Sequence, residues 1–131
     1  MTEIKKLTKI VLLVDAIFWF LFGILLTFLY DMTMNPEGWT NPYLPRMLGG
    51  INFISAIFAI LMFRKKEWEE IKLTFAYFIG IVASTMIIET AIFATFYSTF
   101  GASWRSQGLF PITVETVLLI LGIVAYIKQR S

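Results

Sequence analysis

The stretch LTFAYFIGIVASTMIIETAIFATFY, residues 73–97, contains one charged residue, Glu89. As an α-helix it would be about 37 Å long, enough to cross the roughly 30 Å of hydrocarbon in a bilayer. It lacks the strict apolar–polar alternation that is typical of a transmembrane β-strand. The stretch therefore predicts a membrane-spanning helix with a carboxyl group inside it.

Three further apolar segments, residues 10–30, 45–63 and 111–127, reach or approach the same spanning length. Hydrophobic residues make up 58% of the chain and charged residues 15%, and the mean hydropathy is +0.76. The hydrophobic share exceeds that of a typical globular protein. We predict an all-α fold, a four-transmembrane-helix bundle that forms a single integral membrane domain over residues 1–131.

The basic residues are distributed unequally between the two sides of this predicted bundle. Two of the eleven, Arg46 and Arg105, flank one side. The other nine flank the opposite side: Lys5, Lys6, Lys9, Arg64, Lys65, Lys66, Lys72, Lys128 and Arg130. Cytoplasmic loops carry the excess of Lys and Arg. We therefore predict that both termini are cytoplasmic and that the protein lies in the cell membrane.

The composition also bears on chemistry. The chain has no Cys and no His, which excludes disulfides, thiolate catalysis, imidazole acid–base catalysis and metal or haem sites built from those ligands. We predict no metal site, no cofactor and no catalytic residue. A formal charge of +2 is ordinary for a membrane protein with basic cytoplasmic loops, so we predict no nucleic-acid partner.

One long stretch resembles a known group of proteins. Residues 45–84, PRMLGGINFISAIFAILMFRKKEWEEIKLTFAYFIGIVAS, combine an Arg-x-x-Gly entry into the second helix with a basic–acidic turn before the third. In these features the chain is similar to small four-helix membrane proteins of the DoxX-like group and related families of unknown function. The resemblance implies a compact four-helix bundle and implies no established catalytic residue.

Four polar residues are predicted to form a ligand- or proton-binding site in the outer half of the bundle. Counting about 1.5 Å per residue from the outer helix ends places Glu89 about 12 Å, Asn52 about 10 Å and Glu115 about 6 Å below the surface. Arg46 begins the second helix at the outer edge. Ionisable groups inside a membrane normally face the bundle interior and pair with one another. We expect these four side chains to meet.

The two carboxyls are expected to have different roles. Glu115 would lie in the first turn of its helix, where the positive end of the dipole and Arg46 both favour a carboxylate. Glu89 would lie deeper among apolar residues and would take up and release a proton. In the alternative interpretation, Glu89 is neutral and bonded to Thr85 or Asn52, and the whole cluster only fixes helix packing.

Two residues of the first helix form a secondary candidate site. Asp15 lies about five residues above the predicted cytoplasmic end, where Lys9, Lys72 or Lys128 could extend a side chain to pair with it. Small multidrug-resistance transporters also have four helices and an acidic residue in the first, but the likeness rests on Asp15 alone. Trp19 falls near the predicted midplane, where its ring either packs or lines a cavity.

Small residues recur every four positions on the third helix, at Ala76, Gly80 and Ser84. Such a stripe allows another helix to approach closely. It predicts a packing face, either within the bundle or between copies of the chain.

Three classes of function are compatible with these features. The first is a binding protein or accessory subunit, embedded in the lipid bilayer, that contacts a small apolar or cationic ligand, a second copy or a larger membrane complex. The alternative is a proton-coupled small-molecule transporter that uses Glu89. The third is a membrane enzyme with paired carboxylates, which we rank last because the chain has no nucleophile–base constellation, metal triad or phosphate loop.

Overall fold

The computed structural model of the chain describes residues 2–30 and 43–131. Four long helices account for most of them: α1 (Lys6–Phe28), α2 (Tyr43–Arg64), α3 (Lys72–Phe96) and α4 (Ala102–Arg130), with a 3₁₀ helix at Trp68–Glu70 before α3. The predicted all-α fold class is confirmed. Each of the four is long and apolar enough, by length and composition, to cross a membrane. Residues 31–42, most of the predicted loop between the first two helices, lie outside the described residues.

The largest departure from the predicted boundaries is at the start of α4. The helix begins at Ala102, nine residues before the predicted start, and Pro111 lies inside it rather than at its first position. Gly101, in extended conformation, forms the N-cap, and its carbonyl accepts the Arg105 N–H at 3.1 Å. Proline removes one main-chain donor without ending the helix, and membrane helices tolerate such losses when neighbouring groups compensate.

The chain divides into two compact units. One comprises Met1–Val11 and Glu67–Ser131, and the other is Leu12–Lys66. We call them the α3–α4 unit and the α1–α2 unit, after the helices that make up most of each. The division falls within α1.

In the α1–α2 unit, glycines allow the two helices to approach closely. A Cβ atom on Gly49 of α2 would lie 2.9 Å from the backbone nitrogen of Thr27 and 3.1 Å from the carbonyl oxygen of Gly23, both on α1. A Cβ atom on Gly23 would in turn lie 2.9 Å from the Phe53 ring. Gly49 is the glycine of the Arg-x-x-Gly sequence, and its role here is to admit the backbone of α1.

In the α3–α4 unit, the two helices pack against each other in opposite directions. Three contacts fix the alignment: Ile79 with Gly122, Met86 with Thr116, and Phe93 with Gly108. Residue numbers rise along α3 as they fall along α4, so the pair is an antiparallel hairpin joined by residues 97–101.

Arg105 closes the hairpin at its turn. Its Nε donates to the Tyr97 carbonyl oxygen at 3.0 Å, and its guanidinium carbon lies 4.7 Å from the centre of the Tyr97 ring. The last carbonyl groups of a helix have no partner within the helix. Arg105 therefore satisfies one such group beyond the end of α3.

The small-residue stripe on α3 does not face α4. Within the described residues, a Cβ atom on Gly80 would meet no atom within 4 Å, and Ser84 is exposed. Within the α3–α4 unit, α4 therefore does not pack closely against α3 at Gly80. Contact of the stripe with another helix of the bundle, or with a second copy of the chain, stays a prediction.

Candidate functional site

Glu115 lies near the middle of α4. It is thirteen residues after the start of the helix at Ala102, about 20 Å along the axis, and its side chain is only 5% exposed. The predicted position in the first turn of the helix and the predicted stabilisation by the helix dipole are both wrong. The reason is the earlier helix start, since the dipole acts mainly within the first turn.

Glu89 lies on α3, seven residues before the helix ends at Phe96, and its side chain is half-buried. This distance corresponds to about 10 Å along the helix axis. In the antiparallel hairpin, however, Glu115 lies farther from the turn than Glu89 does. The predicted order of depth, with Glu89 the deeper residue, is therefore reversed.

The structure brings these two carboxyls together. The Glu115 carboxyl on α4 is a neighbour of the Glu89 carboxyl and of the Thr85 hydroxyl, both on α3. That hydroxyl is also 3.1 Å from the carbonyl oxygens of Ile81 and Val82. Thr85 is thus a neighbour of Glu115, where the sequence suggested it as a partner for Glu89.

Both carboxyls carry an oxygen that lacks a hydrogen bond. Among the residues that the structure describes, the Oε2 atoms of Glu89 and Glu115 are buried without a donor. Buried polar atoms in proteins are normally bonded, so an exception calls for a functional or structural reason. Here the exceptions are two neighbouring acidic groups on facing helices.

A cleft of about 170 Å³ opens beside Glu89. Its other lining residues are apolar side chains and backbone from both helices and the turn between them: Ile92, Phe93, Phe100, Gly108, Pro111 and Ile112. An apolar protein cavity of about 150 Å³ can hold benzene. The cleft is therefore the size of a small aromatic or branched aliphatic group, with one carboxyl at its wall.

Residues in and next to the cleft recur at helical spacing in the sequence. Glu89 and Phe93 are four residues apart on α3, and Gly108, Ile112 and Glu115 follow each other at intervals of four and three on α4. Residues three and four apart share one face of a helix. Gly108 matters because a Cβ atom there would lie 2.8 Å from the Phe93 ring, so any larger residue would displace that ring.

The other two residues of the predicted four-residue site belong to the α1–α2 unit. Arg46 is exposed and Asn52 is half-buried, and both lie on α2. Their participation in a site with Glu89 and Glu115 stays a prediction.

The secondary candidates Asp15 and Trp19 lie one turn apart on α1 and are both buried. The Trp19 ring packs edge-on against Phe18, with 5.3 Å between ring centres. Its Nε1 has no acceptor within the described part of the chain. Of the lysines suggested as partners for Asp15, Lys72 instead bonds Glu69, with 2.7 Å between Nζ and the carboxylate oxygen.

Several cleft residues were not anticipated. Phe100 and Gly108 belong to a stretch that reads as a loop, since Gly, Ser and Pro dominate the residues around them. The spacing of Gly108, Ile112 and Glu115 was a usable signal, but only for a helix that begins before Pro111.

Two carboxyls in an apolar setting can take a cation or a hydrogen-bond donor, because an intramembrane acidic group requires compensation. No group of three or more Asp or Glu residues that could hold a metal ion occurs in residues 2–30 and 43–131. Comparison with known proteins finds no matching family model, and neither a curated protein nor a solved structure matches the chain.

Proposed function

We propose that the protein is a membrane-embedded binding protein whose site is the cleft between α3 and α4. Its ligand is a small amphiphilic amine, with an apolar group about the size of benzene in the cleft and its ammonium at Glu89. The observation that carries this proposal is the buried, unbonded Oε2 of Glu89, within the described residues, at the wall of an otherwise apolar cleft.

The neighbouring Glu115 explains why the ligand should be cationic. Two carboxyls in a weakly solvated site repel each other when both are charged, and a positive group offsets that repulsion. A neutral hydrocarbon could fill the cleft but would leave both acidic groups without compensation.

Proton-coupled transport is the second candidate. It is favoured by the burial of Glu115, which approaches Glu89 without lining the cleft. In this scheme the ligand engages Glu89 while Glu115 exchanges a proton, as acidic relays do in transporters. A binding protein requires only the first of these two steps.

The proposed setting is the cell membrane, with both termini in the cytoplasm. The support is the placement of nine of the eleven basic residues on one side of four helices that could span a bilayer. Similarity to the small four-helix membrane proteins of the DoxX-like group is likewise a proposal.

Benzylamine is the probe for this function, with toluene as its neutral counterpart. In detergent-solubilised protein, saturation-transfer NMR should detect benzylamine binding to the natural chain. Glu89→Gln should weaken that binding at least tenfold, about 1.4 kcal/mol, because the amide keeps the shape of the side chain but not its charge. Toluene should bind both proteins equally.

The matched control is Glu3→Gln, which removes one carboxylate from an exposed position outside the α-helices. It should leave benzylamine binding unchanged. Equal losses for Glu89→Gln and Glu3→Gln, or equal affinity of the natural chain for benzylamine and toluene, would refute the proposed amine site.

A further inference from the structure

A second cavity, of about 650 Å³, lies at the other end of the α3–α4 unit, where α3 begins and α4 ends. It is far larger than the Glu89 cleft and different in chemistry. Its charged and aromatic lining consists of Lys5, Lys72, Arg130, Glu69, Trp68 and Tyr126. We call it the basic pocket.

The side chains of the basic pocket have an excess of positive charge. Glu69 is its one carboxylate side chain and is paired with Lys72 at 2.7 Å. The Lys5 ammonium donates to the Lys128 carbonyl oxygen, a neutral acceptor that does not offset its charge. Arg130 lies beside the Tyr126 ring, 5.7 Å from its centre. Three cationic side chains against one carboxylate side chain favour an anionic ligand.

The pocket is built on a rigid base. Gln129, which also lines it, is 2% exposed and has both ends of its amide bonded. Its Oε1 accepts the Lys5 N–H at 2.8 Å and the Thr8 hydroxyl at 3.0 Å, while its Nε2 donates to the Glu3 carbonyl at 2.8 Å. These bonds tie the N-terminal segment to α4, so the position of the Lys5 backbone is set before any ligand binds.

The aromatic wall is fixed in a similar way. The backbone N–H of Trp68 donates to the Thr2 carbonyl oxygen at 2.8 Å. The Trp68 ring packs edge-on against Tyr126, 5.5 Å between centres, and against Phe75, 5.8 Å between centres. A site ordered in advance loses little conformational entropy when it binds.

The position of the pocket selects the kind of anion. Lys72 is the first residue of α3 and Arg130 the last of α4, and the two candidate spans, Trp68–Phe96 and Arg105–Arg130, reach the same level. Trp and Tyr are enriched where a membrane meets water. The charge distribution also predicts that this end is cytoplasmic, the side on which anionic lipids attract basic protein segments.

We propose that the basic pocket binds the phosphate headgroup of an anionic phospholipid. Lys5, Lys72 and Arg130 contact the phosphate, and the acyl chains extend along the apolar surface of α3 and α4. This site is independent of the Glu89 cleft, and the protein can have either one without the other.

Thermal unfolding in a neutral detergent tests the proposal. The unfolding midpoint is measured with added phosphatidylglycerol, with phosphatidylcholine and with inorganic phosphate. Phosphatidylglycerol should raise the midpoint of the natural chain, because a ligand that binds only the folded state stabilises it. Phosphatidylcholine and inorganic phosphate should not. If inorganic phosphate gives the full shift, the site belongs to a soluble anion and the lipid proposal is overturned.

The matched variants remove three positive charges each. Lys5→Gln/Lys72→Gln/Arg130→Gln should abolish the shift caused by phosphatidylglycerol. The control, Lys6→Gln/Lys66→Gln/Lys128→Gln, changes exposed cations that do not line the pocket and should retain the shift. Equal loss in both would mean a general charge effect and would overturn the proposal.

A second measurement avoids dependence on the folding of the triple variant. Native mass spectrometry of the natural chain, taken from an equal mixture of the two lipids, should show retained phosphatidylglycerol in excess. The charge-conserving variant Lys5→Arg/Lys72→Arg should retain it as well. Equal retention of both lipids by the natural chain would overturn the proposal.

Discussion

At the scale of single residues, Glu115 is a buried acidic group in the middle of α4. Its Oε2 is buried and has no donor within the described residues, and Glu89 lies close by. A buried acidic group without full hydrogen bonding lowers stability relative to an apolar residue of similar size. A chain that keeps such a residue gives up stability, and the amine site proposed above supplies a reason.

Glu115→Leu should therefore stabilise the protein while it impairs ligand binding. We expect the free energy of unfolding to rise by about 1–3 kcal/mol, seen as a higher unfolding midpoint in detergent, and benzylamine affinity to fall. Leu118→Ala, at a buried position on the same helix, should instead lower the free energy of unfolding by about 2–5 kcal/mol through the cavity it leaves. If Glu115→Leu destabilises as much as Leu118→Ala, the carboxyl is a structural element.

Sequence alone identified Glu89, which lines the cleft, and its neighbour Glu115, because a charged residue in an apolar segment is conspicuous. It could not assign their relative depth, which depends on where α4 begins. That boundary lies at Gly101, one of several Gly and Ser residues in a stretch that gives no clear helix signal. The apolar cleft residue Ile112 was not predicted, since apolar residues on a membrane helix look alike in sequence.

At the scale of helices, the adjacent glycines Gly49 and Gly50 of α2 have different surroundings. A Cβ atom on Gly49 would contact the backbone of α1, whereas one on Gly50 would meet no described atom within 4 Å. The resemblance drawn from the sequence included Gly49 in its Arg-x-x-Gly entry, but the sequence could not show which of the two glycines faces another helix. The choice depends on how α2 is rotated toward α1.

Gly49→Ala and Gly50→Ala form a matched pair of variants. Gly49→Ala should lower the free energy of unfolding by about 1–3 kcal/mol, because backbone atoms of α1 cannot move aside as a side chain can. Gly50→Ala should be neutral or stabilising by up to about 1 kcal/mol, since Ala forms helices better than Gly. Thermal unfolding in detergent measures both. Indistinguishable midpoints would contradict the close approach of α1 and α2.

At the scale of the whole molecule, four apolar helices and an uneven distribution of basic residues define the proposed orientation. The number of helices and their spanning length could be predicted because hydrocarbon thickness imposes a minimum length on each apolar segment. The division into two units within α1 could not, since it depends on which side chains meet and not on hydropathy.

The chain has no Cys, so single cysteines can report the orientation. Lys66→Cys lies just after α2 and Ser98→Cys lies in the turn after α3, and both positions are exposed. A membrane-impermeant thiol reagent applied to intact cells should label only Ser98→Cys, while both should react after the membrane is permeabilised. Labelling of Lys66→Cys in intact cells would show that the basic side faces outward.

The most direct test of the amine site is to locate bound benzylamine in the protein. In protein labelled at isoleucine methyl groups, nuclear Overhauser effects from the ligand ring should appear at Ile92 and Ile112, which line the cleft, and should disappear in Glu89→Gln. Ile10 and Ile57, exposed on α1 and α2, serve as controls for non-specific partitioning and should show none. Effects of equal strength at all four isoleucines, or their persistence in Glu89→Gln, would contradict the account.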